Sequence, residues 1–423
     1  MNEWKQDVLS VVNIKVITFR DCIGYPMDKA FWDGTTDFFK SLRARDGWSP
    51  SSPKICFAMM SKPQFAFGND IPITTLGLQY EEYSPNMQGS LFDGPGVIEE
   101  PARVSIDTRM FPTSLVNLNV HRDYHFKPRF DLSYLSSLKQ LYIKNNDNLV
   151  FDPSTLPLSL TRIQIGYGAD QDLTNVPANV IDVAVYSPLY PYPIQQQHIQ
   201  HLTISSLRYS LPAQRPFMNL RHLYTQSIDN EELINITSES FPMLETLVTA
   251  LGNQYTETTL FDLSKLPSSL NRLEISPHRP IKSLPSGVVD LHIVFNQCET
   301  DFELSNIWSN SPLINNLTLD TYRLELKVGD IPSSVTKLKL LDYGKSLDIA
   351  NVLPGTLRSL TWIGGTDHDI RYFLQHLPTN IVRLDIKIGE EKFNLSRLSD
   401  TLFLQLDYDL RYGLITIDKL QSL

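Results

Sequence analysis

The sequence predicts a solenoid: strand-rich, with a single parallel sheet on its concave face, mostly extended or 3-10 backing, and few helices. Three observations predict it. The phrase LPSSLNRLEI, starting at Leu266, returns as LPSGVVDLHI at Leu284. Recognisable copies recur at intervals of 18 to 26 residues from Phe111 onward. Within each copy, the residues flanking the second and third apolar positions alternate with polar ones, which is the period of a strand with one buried face. A fixed period in the low twenties, carried by leucines, is the signature of stacked repeats.

Numbering the phrase from 1 to 10 places apolar residues at 1, 5, 8 and 10 and proline at 2. Further copies start at Tyr134, Leu156, Val176, Gln195, Pro216, Ser240, Asn310, Ile331, Leu353 and Leu377. Positions 8 and 10 face inward on a short strand, and 7 and 9 point the other way. Proline at position 2 has no N–H to donate, so it marks the bend before the strand. Strand centres are therefore expected at Leu118, Leu141, Ile163, Val183, Leu202, Leu223, Leu247, Leu273, Leu291, Leu317, Leu338, Leu360 and Leu384. One repeat cannot bury its own leucines, whereas a stack buries a continuous column. A single right-handed solenoid with at least thirteen parallel strands is expected.

Along the chain, VVNIKVITF (11–19) and PKICFAMM (53–60) read as strands, and MDKAFWDGTTDFFKSLRAR (27–45) is the best helix candidate. Residues 1–62 are expected to form a strand-helix-strand cap over the open end of the column, and 63–423 the solenoid itself. IPITTLGLQY, starting at Ile71, reads as an early copy and a looser one begins near Leu398. Two stretches break the rhythm. Residues 81–101 are acidic, with glycine and proline, and read as a long loop. Residues 186–197, YSPLYPYPIQQQ, read as an extended turn with three tyrosines. The segments between strands are short and carry Pro or Gly, as in SPHRPIKS (276–283), leaving little room for α-helices.

The core L-P-x-x-L-x-x-L-x-I resembles the leucine-rich repeat, and a fuller form is similar to the FNIP-type repeat of about 22 residues. That form appears as FDLSKLPSSLNRLEI (261–275), FDPSTLPLSL (151–160), LDIANVLPGTLRSL (347–360) and FNLSRLSDTL (393–402). The resemblance covers about 310 residues from Phe111. It implies an α/β-type leucine-rich repeat solenoid, strand-rich here, and a protein-binding scaffold rather than a shared reaction. Such repeats commonly carry Asn three residues after the second strand leucine. This sequence has Asn146 and Asn296 there, but Gly168, Gly252, Tyr322, Tyr343 and Gly389 elsewhere, so irregular turns are expected.

Composition narrows the function classes. Apolar residues make up 42% and charged residues 20%, ordinary for a chain with a continuous core. Against 37 basic residues stand 47 acidic ones, a net charge of −10, so neither nucleic acid nor an anionic membrane is an expected partner. No run approaches the ~20 apolar residues that span a bilayer. The first 20 residues carry five charges and no signal-like apolar run, and Cys22, Cys56 and Cys298 are too few for a disulfide scaffold. The expected location is cytoplasmic.

The outward rows carry several residues capable of chemistry. Asp182, His201 and His222 occupy position 7 of successive copies, a set able to hold a divalent metal or an acid–base pair, or simply a solvated polar ladder. Glu274 and Asp290 lie on neighbouring rows, which would interest a polysaccharide enzyme built on a parallel β-helix. That fold uses three strands per coil, whereas the template shows one. No nucleophile elbow, P-loop or dinucleotide fingerprint is present, and GGTDHD (364–369) reads as a loop. The expectation is a non-enzymatic scaffold with no catalytic residue, no metal and no cofactor, binding an unidentified protein. The expected contact residues on the concave face are Tyr186, His201, His222, Tyr224, Arg272, Glu274 and His292, because aromatic residues and Arg dominate interface hot spots. Toward the C-terminus the same rows become Lys337, Lys339, Arg383, Asp385 and Lys387. The alternative is an adaptor that uses its outer loops.

Overall fold

The computed structural model describes residues 16–20, 54–59 and 74–78, and from 104 to 416 all residues except 107, 122–123, 127–129, 145–150, 168–170, 189, 195, 208–215, 252–259, 279, 296–303, 309–312, 346, 348, 366–375, 389–390 and 406–412. The expected helix at 27–45, the loop at 81–101, and Asn146, Asn296, Gly168, Gly252 and Gly389 lie outside the described residues. The chain divides into two compact units near residues 205–213.

In the first unit, chain order gives β1 (Val16–Arg20), β2 (Lys54–Met59), β3 (Thr75–Leu78), β4 (Val104–Ile106), β5 (Asn117–His121), β6 (Tyr124–Phe126), β7 (Gln140–Lys144), β8 (Arg162–Ile165), β9 (Asp182–Val185) and β10 (His201–Ile204). Strands β1, β2, β3, β5, β7, β8, β9 and β10 pair in that order, every pair parallel. Strands β4 and β6 form a separate parallel pair.

The second unit continues with β11 (His222–Ile228), helix α1 (Asn230–Ile234), β12 (Thr246–Leu251), β13 (Phe261–Asp262), β14 (Arg272–Pro277), β15 (Ile281–Ser283), β16 (Asp290–Val294) and β17 (Asn316–Asp320). Then come β18 (Lys337–Leu341), helix α2 (Ile349–Val352), β19 (Ser359–Gly365), β20 (Arg383–Ile388), β21 (Glu391–Arg397), β22 (Leu402–Gln405) and β23 (Gly413–Thr416). Parallel pairing runs β11, β12, β14, β16, β17, β18, β19, β20, and β13 pairs with β15 apart from it. The protein is a strand-rich parallel β-solenoid. Among the described residues its helical segments are α1, α2 and three 3-10 turns of three residues each.

The template explains the core. All thirteen expected strand centres, Leu118 to Leu384, are at most 1% exposed, and so is every position-5 residue from Leu115 to Ile381. Each is worth about 1.5–3 kcal/mol relative to exposure. Position 10 is buried too, though Thr225 and Thr249 are polar there. Their hydroxyls donate to the carbonyls of Ser227 and Ala250, both at 2.9 Å, and β11 slips register just after Tyr224.

Backbone geometry accounts for the proline. The position-5 amide donates to the position-2 carbonyl, as in Leu270 to Pro267 at 3.0 Å and Ile381 to Pro378 at 3.1 Å. The phrase P-x-x-L is thus a β-turn that delivers the chain to its strand. Position 4 then ties coil to coil. Ser159, Ser269, Ser334, Thr356 and Asn380 donate to the carbonyls of Leu138, Leu244, Ile314, Val335 and Leu357, the position-5 residues of the preceding coils, at 2.6–2.9 Å. Gly287 holds position 4 in the coil after the shortest repeat interval. A Cβ there would lie 2.5 Å from the Ser268 carbonyl oxygen and 3.0 Å from that of Leu270.

Where an Asn ladder would run, Tyr322 and Tyr343 are buried instead, their rings stacked 6.4 Å apart. The Tyr343 hydroxyl accepts the Leu326 amide at 3.1 Å, satisfying a buried backbone donor as an Asn amide would. On the backing turns, Asp131, Asp152, Asp172 and Asp262 each accept the amide two residues on, from Ser133, Ser154, Thr174 and Ser264, at 2.8–3.1 Å. These Asx-turns give the irregular segments their regular bends. The stretch 186–197 forms neither helix nor strand where described, but Tyr190 and Ile194 are buried, and the Tyr190 hydroxyl accepts the Leu173 amide at 3.2 Å.

Two expectations about register are corrected. In the copy assigned to Ile71, position 8 falls on Leu78, yet Leu76 is the residue opposite Leu118, and Leu78 faces Val120. The coil is offset by two residues, which keeps the same face inward because the strand period is two. The looser copy near Leu398, with the FNLSRLSDTL form, is not a further parallel coil. Strands β20 to β23 pair antiparallel in succession. Only residues 389–390 separate β20 from β21, and a parallel crossover needs a dozen or more.

Candidate interaction surface

Positions 7 and 9 point away from the leucine column, and most are half-buried or exposed. Buried exceptions are Ala184 and Thr246. The expected contact residues fall in both units. Tyr186 and His201 belong to the first unit, and His222, Tyr224, Arg272, Glu274 and His292 to the second.

In the first unit, His201 on β10 lies opposite Asp182 on β9. Asp182 is engaged from its other side by Arg162, Nε to Oδ2 at 3.3 Å. The supposed Asp182/His201/His222 set is therefore not assembled within one unit, and among the described residues no group of three His, Cys, Asp or Glu side chains is placed to hold a metal ion. Tyr186 follows β9, its amide donating to the Ile165 carbonyl at 2.9 Å. Its ring lies 6.4 Å from that of Tyr167, and burial together with the nearby Tyr186 hydroxyl pushes the Tyr142 phenol above its ordinary range. This three-tyrosine patch was only partly legible, since Tyr167 sits two residues beyond the strand, where the template makes no assignment.

In the second unit, Tyr224 on β11 is 39% exposed and lies opposite Val248 on β12, with His222 opposite Thr246. The next strands carry a charged network. Arg272 on β14 is 3.6 Å from Glu274 (Nη2 to Oε2) and 4.0 Å from Asp290 on β16 (Nε to Oδ2). Glu274 Oε2 is in turn 3.5 Å from His292 Nδ1. His292 Nε2 points toward Asp320 on β17, 3.9 Å from its Oδ2, too far for a hydrogen bond, and is shielded from solvent. Three adjacent strands thus bring Arg272, Glu274 and His292 together as expected, with Asp290 and Asp320 added. Asp320, which shares position 11 with Tyr186, was not among the expected contact residues. Exposed pairs of this kind contribute about 0.2–1 kcal/mol each, so the network fixes side-chain orientation more than it stabilises the fold.

Among the described residues, no helix is long and apolar enough to cross a membrane. No protein-family description matches the sequence, and no curated protein does. Among solved structures, the chain is similar to CroV588, described as a novel circular LRR protein, at 16% identity and a TM-score of 0.44. The match covers 81% of this chain and 57% of CroV588, so the chain spans little more than half of that protein's length.

Proposed function

We propose that this chain is a non-enzymatic protein–protein interaction scaffold of the leucine-rich-repeat kind, with FNIP-type coils, acting in the cytoplasm. The partner docks on the strand face opposite the leucine column, the concave side of the stack. The observation that carries this reading is the second-unit surface, where exposed Tyr224 beside Val248 adjoins the Arg272/Glu274/His292 network. An amphipathic ring bordered by a preoriented Arg matches the residue types that contribute most at protein interfaces. Tyr186 and His201 offer a separate contact patch in the first unit. A carbohydrate-cleaving reading is disfavoured, because Glu274 and Asp290, its two carboxylates, both pair with Arg272.

A second reading, in which an adaptor engages its partner through the outward turns, draws support from Val328, 74% exposed, and Leu324, 37% exposed, on the segment after β17. The test is the Tyr224→Ala/Arg272→Ala double variant, compared with the parent for circular dichroism, melting temperature and captured proteins. With folding unchanged, loss of the captured partner supports the strand face. Unchanged capture moves the site to the turns.

A further inference from the structure

We propose that the outward face of β18–β21 is a docking site for a short acidic segment of a protein partner. Lys337 and Lys339 on β18 and Arg383 and Lys387 on β20 are all exposed, and among the described residues no side-chain hydrogen bond or ion pair holds any of them. Residues two apart on a strand share a face, so all four project from the side that carries positions 7, 9 and 11. Lys387 also lies directly opposite Lys392 in the antiparallel β20–β21 ladder. Asp385 is the acid on this face of β20, and it lies near the Thr361 hydroxyl, 3.5 Å away. In a chain of net charge −10, these four cations beside one carboxylate form an island of the opposite sign. Charge complementarity therefore specifies an anionic occupant.

The dimensions select a short segment over a polyanion. Four adjacent strands at about 4.8 Å span roughly 15 Å, the reach of four or five extended residues. Beyond β18 the same face carries Asp320, then Asp290 and Glu274, across β17, β16 and β14. A nucleic-acid backbone continuing in that direction would place phosphates against carboxylates, whereas a segment of three or four carboxylates ends before them. Ser359 and Thr361 on β19, between the cation-bearing strands and half-buried, supply hydrogen-bonding groups along the strip.

The proposal rests on the scaffold reading and adds a partner chemistry at a locus separate from Tyr224 and Arg272. The probe is a labelled synthetic peptide with four consecutive Glu residues, flanked by Ser and Gly. Its anisotropy is measured with the full chain at about 0.15 M salt, where long-range charge effects are screened. A Gln-for-Glu peptide and an oligothymidylate of equal charge serve as comparisons. The Glu peptide is expected to bind, the Gln peptide not to, and the oligonucleotide to bind more weakly. Lys337→Glu/Lys339→Glu should reduce affinity roughly tenfold, two exposed attractions having become repulsions. Lys387→Gln should weaken binding roughly threefold without lowering the melting temperature, so a folding defect in the first variant leaves the proposal testable. Tyr224→Ala/Arg272→Ala should leave peptide affinity unchanged, which separates this site from the proposed anchor. Equal binding of Glu and Gln peptides, insensitivity to the β18 and β20 variants, or tighter binding of the oligonucleotide would each overturn it.

Discussion

Repeat consensus recommends two substitutions to serine, and the structure predicts opposite outcomes for them. Gly287 occupies position 4, where Ser269 and Ser334 stand in other coils, and Gly355 occupies position 3, where Ser268 and Ser333 stand. At Gly287 a Cβ would approach the Ser268 carbonyl oxygen to 2.5 Å, against about 3.3 Å for an ordinary carbon–oxygen contact. Backbone of two coils must therefore separate by about 0.8 Å, within the range of overpacking that costs about 1–3 kcal/mol. The same separation carries a position-4 hydroxyl out of good hydrogen-bonding range of the preceding coil, so only the ~0.4–1 kcal/mol of reduced unfolded-chain entropy offsets that cost. At Gly355 nothing lies within 4 Å of the added carbon, so the entropy term acts unopposed. Urea unfolding of Gly287→Ser and Gly355→Ser, with m-values compared, should show the first destabilised by about 1–2 kcal/mol and the second stabilised by a few tenths. A Gly287→Ser protein at least as stable as the parent would refute the close-approach reasoning.

Three further outcomes are expected. Leu273→Ala should lose about 2–5 kcal/mol on denaturation, while Thr203→Ala, on the outward face, should stay within about 0.5 kcal/mol; the reverse ranking would exchange the two faces. Tyr343→Phe should cost about 1–3 kcal/mol, because it strands the buried Leu326 amide without its acceptor; an unchanged melting temperature would show that the amide has another partner. Hydrogen bonds from Ser264 and Ser283 hold the Asp262 carboxyl well below the usual carboxylate range. Its contribution is therefore fully present above about pH 4 and is lost as pH falls through its folded value, so the stability gap between parent and Asp262→Asn should narrow on acidification. A gap that stays constant down to about pH 2 would contradict the assignment.

The leucine column was legible because burial and periodicity state the same fact: Leu115, Leu118 and Val120 recur at fixed offsets wherever a coil forms. Proline was a poorer guide. Aligning Pro72 to position 2 put Thr75 at position 5, whereas placing Ile73, Leu76 and Leu78 at 5, 8 and 10 satisfies all three apolar sites and matches the observed pairing. The C-terminal hairpin had its own signal, Gly389-Glu390 between two alternating segments, which repeat-matching overrode. Tyr322 and Tyr343 were noticed as departures from Asn, but nothing in sequence says that a phenol can fill an amide's role; that depends on which backbone amide comes within reach. The Arg272, Glu274 and His292 grouping was readable from the rows, and its extension to Asp320 was not. Lateral register decides which side chains touch, and the approach of Asp320 to His292 follows only once β17 is seen to extend through Asp320 beside β16.

Site-specific photo-crosslinking tests the central claim most directly. A benzophenone amino acid is placed at Tyr224, at Arg272 or at the outward-turn residue Val328, each in the full chain within its source cell. The account predicts that Tyr224 and Arg272 yield an adduct with the same protein and that Val328 does not. An adduct from Val328 with none from the two strand positions would contradict it, and would assign partner binding to the turns.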